Sequence, residues 1–286
     1  MMGHHLFNRV TRRFARLTFP FFERVFNLHI TPNDYYSPIP SVKDLPTDIY
    51  DRRFDMGGVD MNLSGQTAFL RDVLPLYLSE FTPKQNGGLS LADAYVLYAL
   101  IRHRKPSRMV EIGGGDSTFI SMAAIERNRA EGHPCHFTCI EPYPRDFLTR
   151  ATWPDYRLVV EKVQDADLSI FADIDMLFID SSHVSKIGSD VNHEMFEILP
   201  RMKPGSLIHW HDIVIPTNYW RDWTTNGTQF WNESYLLHAF LMFNAEFRVV
   251  WAARWFNLEH PDALAATLPF LEPSHRLTSF WVEREK

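Results

Sequence analysis

From Arg108 to the C-terminus, short apolar runs alternate with segments whose apolar residues recur at helical spacing. The runs Met109–Ile112, His136–Ile140, Arg157–Val160, Asp175–Ile179, Leu207–His211, Phe247–Ala252 and Thr278–Val282 predict seven strands. Strands alternating with helices are the pattern of a doubly wound α/β sheet. Upstream, helical spacing covers Gln66–Phe81 and Ser90–His103, the second opening on Ser90 as its cap. Trp231–Phe243 carries the same periodicity through Leu236, Leu237, Phe240 and Leu241, which predicts a helix packed on the sheet. Between Asn33 and Gly65 the chain is rich in Pro, Asp and Tyr, and little regular structure is expected there.

The N-terminal segment has its own pattern. Arg9, Arg12, Arg13, Arg16 and Arg24, against the single acid Glu23, interleave with Leu6, Val10, Phe14, Leu17 and Phe21 at helical spacing. A basic amphipathic helix is expected, interrupted near Pro20. Packing of its apolar stripe on the chain's own domain or on a second subunit is favoured over contact of residues 5–26 with an anionic membrane surface. His4 and His5 read as a polar start rather than a metal site.

The chain has 286 residues, 45% of them hydrophobic, enough for one sizeable core with N-terminal additions. A net charge of −6 gives no electrostatic reason to bind nucleic acid. Only Cys135 and Cys139 are present, a spacing that suits neither a zinc site nor a disulfide framework, and both are expected as reduced core thiols. No long apolar run and no signal-peptide cleavage pattern occur, so a cytoplasmic location is expected. Homo-oligomers stay open.

The candidate chemistry begins at Val110–Ser117, an apolar strand carrying Glu111 and followed by Gly113, Gly114 and Gly115. Glycines at a strand-to-helix turn let the backbone approach a ligand closely, and free amides at the helix start can hold an anionic group. Asp116, Ser117 and Thr118 follow, so the third glycine of the nicotinamide-binding pattern is missing. The acid-x-Gly-x-Gly order resembles the first motif of class I S-adenosylmethionine (SAM) methyltransferases. That resemblance covers residues 90–286. It implies a Rossmann-like, mostly parallel seven-stranded sheet whose final strand runs antiparallel, preceded by a helical and loop extension over residues 1–89. It also implies SAM as cofactor, contacted by Glu111, Gly113, Gly115 and Ser117. Glu141 would accept hydrogen bonds from both ribose hydroxyls, and Gln164 and Asp165 would meet the adenine.

The fourth strand ends in Asp180-Ser181-Ser182-His183 and the fifth in His209-Trp210-His211-Asp212. These ends resemble those of the catechol O-methyltransferase type, where acids hold Mg²⁺ and a basic residue takes the acceptor's proton. Carried over by motif position, Asp180, His211 and Asp212 become metal ligands, and His183 becomes the base, with Asp180 beside it. Histidine in place of a carboxylate makes the set less suited to Mg²⁺ and more tolerant of Mn²⁺ or another transition ion. The resemblance therefore implies O-methylation of a small-molecule or glycan acceptor. The aromatic residues Tyr219, Trp220, Trp223, Phe230 and Trp231 are expected to form a lid or wall for that acceptor. Open alternatives are a metal-free methyltransferase acting on nitrogen or carbon, a nicotinamide-dependent oxidoreductase, and a non-catalytic subunit of the same fold.

Overall fold

The computed structural model describes residues 2–82, 88–272 and 274–286, and the side chains from residue 10 onward. The expectations for His4, His5, Leu6 and Arg9 concern side chains outside that description. The chain divides into two compact units. One comprises the residues up to Arg52 together with Tyr219–Phe230, and the other Arg53–Asn218 together with Trp231–Lys286.

The second unit is built on a single sheet of seven strands: β1 (Arg108–Ile112), β2 (His136–Ile140), β3 (Tyr156–Val159), β4 (Met176–Ile179), β5 (Leu207–Trp210), β6 (Phe247–Ala252) and β7 (Phe280–Arg284). Their order is β3-β2-β1-β4-β5-β7-β6. The first five pair in parallel, and β7 runs antiparallel to both neighbours. The doubly wound, Rossmann-like, mostly parallel sheet expected from the sequence is therefore present.

Strand alternation divides the core in two. Met109, Met176, Phe178 and Leu207 face one layer, packed with the helix Leu91–Arg104. Val110, Ile112, Leu177, Ile179, Ile208 and Trp210 face the other. Both faces of β4 are fully buried, which is why its sequence is an unbroken apolar run.

Several boundaries differ from the sequence reading. The stretch Gln66–Phe81 is not one α-helix but an α-turn at Leu63–Ala68, a π-turn at Phe69–Val73 and a 3₁₀ turn at Leu74–Tyr77. Pro75 has no N–H to donate to the preceding turn, so the regular ladder cannot continue through it. Phe69, Leu70 and Leu74 are buried in the sheet's own core, which puts this segment in the second unit rather than in a separate extension ending at residue 89. The last strand starts at Phe280 instead of Thr278 because the amides of Thr278 and Ser279 donate to the carboxylate of Asp93.

In the first unit a single helix runs from Met2 to Phe26. Pro20 does not interrupt it: the proline removes one backbone bond, and the helix resumes beyond it. Tyr50 donates to or accepts from Thr224 at 2.8 Å, and the Arg221 guanidinium lies 4.7 Å from the Tyr50 ring centre. Tyr219, Trp220 and Trp223 form their own ring cluster here.

Candidate active site

Parallel pairing brings Ile112, Ile140, Ile179, Val159 and Trp210 into one register at the carboxyl edge of the sheet. The ladder extends one residue further. The amides of Gly113, Glu141, Asp180 and His211 donate to Ile140, Val159, Ile112 and Ile179, respectively. Four of the residues singled out from sequence thus leave the sheet side by side, at the edge where open α/β sheets bind ligands.

Gly113 turns the chain with φ +86°, and a Cβ there would come within 1.9 Å of the Asp180 carbonyl oxygen. No other residue fits. Gly115, by contrast, has open space where a Cβ would stand. Its amide donates to Thr118 Oγ1, and its carbonyl accepts from the Thr118 amide, which closes the start of the helix Asp116–Ala130.

A cavity of about 470 Å³ opens beside this turn, lined among others by Gly113, Glu141, Gln164, Asp180, Ser182 and Lys186. Its size suits a nucleoside-sized ligand. Glu141 accepts from the Gly114 amide through Oε2 at 3.1 Å and from the Tyr143 amide through Oε1 at 2.7 Å. Both oxygens are thereby oriented, with lone pairs left for a ligand. Gln164 is held by donation to the Gly188 carbonyl at 3.0 Å.

Four residues expected to touch the cofactor do not line this cavity, Gly115 among them. Asp165 is exposed in the turn after Gln164 and does not line the cavity. Glu111 and Ser117 are buried beneath the glycine turn, where the Ser117 hydroxyl donates to Glu111 Oε1. Burial pushes the Glu111 carboxyl up to about 8. Strand side chains alternate between the two faces of the sheet, and the face Glu111 takes puts it against Ser117 under the helix start instead of in the cavity.

Beyond Asp180 the site becomes a cluster of acids and histidines. His183 Nε2 lies 3.4 Å from Asp180 Oδ1 and 3.5 Å from Asp212 Oδ2, and His211 Nδ1 lies 3.4 Å from Oδ1 of each aspartate. Each imidazole is fixed at its other nitrogen: His183 Nδ1 by Glu233 Oε2 at 2.9 Å, and His211 Nε2 by Thr278 Oγ1 at 3.3 Å. Burial alone would discharge both histidines, but the surrounding carboxylates prevail. His183 is pushed up to about 10 by Asp180 and Glu233, and His211 is raised by Asp180 and Asp212. Burial likewise works to raise Asp180, yet the His211 and His183 charges hold it well below the usual carboxylate range. Burial drives the Glu233 carboxyl up, against the pull of His183.

His183 and Asp212 both adopt left-handed backbone conformations, with φ of +60° and +54°. For residues with a Cβ these cost on the order of 1 kcal/mol or more. The start of the helix Glu233–Leu241 holds both. The amides of Asn232 and Glu233 donate to the His183 carbonyl, and Ser234 Oγ accepts from the Val214 amide just after Asp212. The ring of Trp231 packs 4.5 Å from that of His183.

Glu233 and Thr278 were not singled out from the sequence. Glu233 reads there as an ordinary acid in the first turn of a packing helix, and nothing in a linear pattern couples it to a histidine fifty positions earlier. His209 is a core residue: its ring stacks on Phe178 at 4.1 Å and packs against Trp281, and burial lowers its pKa.

The donor set fits a divalent cation. Asp180, His183 and Asp212 each offer a ligand atom within 4.8 Å of the others, and His211 adds a second imidazole. A carboxylate or hydroxyl on the far nitrogen of each histidine is the arrangement that orients metal-binding imidazoles.

Residues 110–213 match the family model described as a methyltransferase domain. An uncharacterized protein of Archaeoglobus fulgidus is 33% identical over 160 residues, spanning 49% of this chain and 71% of that protein. Among solved structures, the chain is similar to a methyltransferase of Podospora anserina bound to S-adenosylhomocysteine. The identity is 13%, with 78% of this chain and 94% of that one covered and a TM-score of 0.48. It is also similar to an O-methyltransferase of Streptomyces achromogenes in complex with SAM, at 16% identity, with coverage of 76% and 89% and a TM-score of 0.43.

Proposed function

We propose that this chain, which belongs to the class I SAM-dependent methyltransferases, transfers the methyl group to a hydroxyl oxygen of a small-molecule or glycan acceptor. The observation carrying this is the position of Asp180. It lines the cofactor-sized cavity and at the same time meets both histidines, so the proton-handling cluster adjoins the place where the methyl donor would lie.

Methyl transfer from a sulfonium is an in-line displacement, so the chain's first task is to fix the donor. Glu141, already oriented by two amides, would take the ribose hydroxyls, Gly113 and Gly115 would let the backbone approach, and Gln164 would meet the adenine. The second task is to remove the acceptor's proton, because a neutral hydroxyl is a poor nucleophile near pH 7. A nitrogen acceptor would need this less.

Asp180, His211 and Asp212, with His211 Nδ1 3.4 Å from an oxygen of each aspartate, would hold a divalent cation, which when bound would lower the pKa of a coordinated hydroxyl. An imidazole donor beside the two carboxylates suits Mn²⁺, Fe²⁺ or Zn²⁺ better than Mg²⁺. A cation on the aspartates would weaken their hold on the His183 proton and leave Nε2 able to accept one from the acceptor. Glu233 keeps the ring turned toward the acceptor and stabilises the imidazolium once it forms.

The test is SAM turnover with panels of hydroxyl and amine acceptors, read as S-adenosylhomocysteine release. Turnover confined to hydroxyl acceptors, and reduced about 10²- to 10⁴-fold in His183→Ala, is expected. Equal turnover of amines with the variant unaffected would remove His183 from the chemistry.

A further inference from the structure

The helix Met2–Phe26 carries two apolar faces, and only one of them is used by the fold. Ala15 is buried, Phe19 and Phe22 are half-buried, and the Phe19 ring stacks on His29 at 4.9 Å. The second face consists of Val10, Phe14, Leu17, Phe21 and Val25, spaced at intervals of three and four residues, which places them in one stripe about 80° wide. Each of the five is more than half exposed, Leu17 reaching 70%. Because the helix continues through Pro20, the stripe is unbroken from Val10 to Val25.

Charge is distributed on one side of that stripe. Arg13 and Arg24 follow its border, Arg16 and Arg12 lie behind them, and Glu23 is the one acid between Val10 and Phe26. Arg12 lies 3.6 Å from Asp34, and Glu23 faces His29. Arg13, Arg16 and Arg24 have no ion pair among the described residues. An apolar strip bordered by unpaired guanidinium groups matches the boundary between acyl chains and anionic headgroups: the apolar side chains enter the hydrocarbon edge and the arginines reach the phosphates. Among the described residues no helix is long and apolar enough to cross a membrane, so the fitting mode is one lying in the surface.

We infer that the helix over Val10–Phe26 is a docking surface for an anionic phospholipid membrane, with Phe14, Leu17 and Phe21 inserted and Arg13, Arg16 and Arg24 on the headgroups. The occupant is set by the sign of the flanking charge. An antiparallel contact with a second copy would bring the same cations together, whereas anionic headgroups neutralise them in any orientation.

The experiment is co-sedimentation of the full chain with vesicles of phosphatidylcholine alone and of phosphatidylcholine with an equal part of phosphatidylglycerol, at low and high salt. The expected result is binding to the anionic vesicles that weakens with salt and is at least about tenfold lower on the neutral ones. Phe14→Asp with Leu17→Asp, and separately Arg13→Glu with Arg16→Glu, should each lower the partition by roughly tenfold. Affinity for S-adenosylhomocysteine, unchanged in both variants, shows that the second unit is intact. No sedimentation with anionic vesicles, or sedimentation indifferent to lipid charge, overturns the inference. So does a wild-type dimer that ignores vesicles and dissociates in the Phe14→Asp, Leu17→Asp variant, which would make the stripe a subunit contact.

Discussion

The side chain of Glu233 stands 2.9 Å from Nδ1 of His183, both residues are buried, and the Glu233 amide donates to the His183 carbonyl. One residue thus fixes both the backbone and the ring of the proposed base. Glu233→Gln keeps the shape and can still hydrogen-bond, but it withdraws the negative charge that favours the imidazolium. We expect kcat to fall roughly 10- to 100-fold with cofactor affinity unchanged. The acidic limb of the pH–rate profile should move to lower pH, because His183 would hold its proton less tightly. A merely structural role for Glu233 would lower stability and leave the position of that limb alone.

Gly113 and Gly115 differ in what excludes a side chain. Gly113→Ala would drive a Cβ into the Asp180 carbonyl at a left-handed backbone position, so cofactor binding and thermal stability should fall together. Gly115→Ala meets nothing in the protein, and its melting temperature should stay within a few degrees of wild type. Its affinity for S-adenosylhomocysteine should nonetheless drop, because the proposed cofactor would run along this glycine turn. Thermal denaturation with and without S-adenosylhomocysteine distinguishes the two.

Glu111 predicts a pH dependence of stability. Its carboxyl is raised by burial to about 8 in the folded chain, against an unfolded value near 4.5. Its contribution is fully present below the unfolded value and is lost as pH rises through about 8, because only the unfolded state ionises freely in between. Glu111→Gln should flatten that slope, a difference on the order of a few kcal/mol between pH 5 and pH 8 by urea denaturation. An unchanged slope would mean that Glu111 ionises in place.

Glu141→Ala removes the carboxylate assigned to the ribose. Affinity for S-adenosylhomocysteine should weaken about 10- to 100-fold, the scale of roughly 1.5–3 kcal/mol for hydrogen bonds to a charged group, with thermal stability little changed. Calorimetric titration of the ligand checks it, and wild-type affinity would remove the assignment.

The parts of the molecule legible in sequence are those where local pattern and burial coincide. β1, β2, β4 and β5 were readable because the parallel sheet buries them on both faces, and their final residues mark the carboxyl edge directly. Gly113, Glu141, Asp180 and His211 follow from that edge alone. Glu111 and Ser117 share the same motif but point beneath the turn, a distinction that depends on side-chain direction and not on spacing. Glu233 and Thr278 were hidden because each reaches the site through a fold contact: one from a helix start fifty residues after His183, the other from the chain leading into β7. The start of β7 was misplaced for a related reason, since Asp93, in the helix Leu91–Arg104, takes the amides of Thr278 and Ser279 out of the strand.

The proposed metal-assisted site is tested most directly by calorimetric titration of Mn²⁺ and Mg²⁺ into the chain saturated with S-adenosylhomocysteine, with Asp212→Ala as the control. Saturable Mn²⁺ binding is expected, tighter than Mg²⁺, lost in the variant, and accompanied by proton release as the histidines give up their charge. Absence of saturable heat from either ion, with S-adenosylhomocysteine still bound, would contradict the account and leave the cluster of Asp180, His183, His211 and Asp212 to act on the acceptor alone.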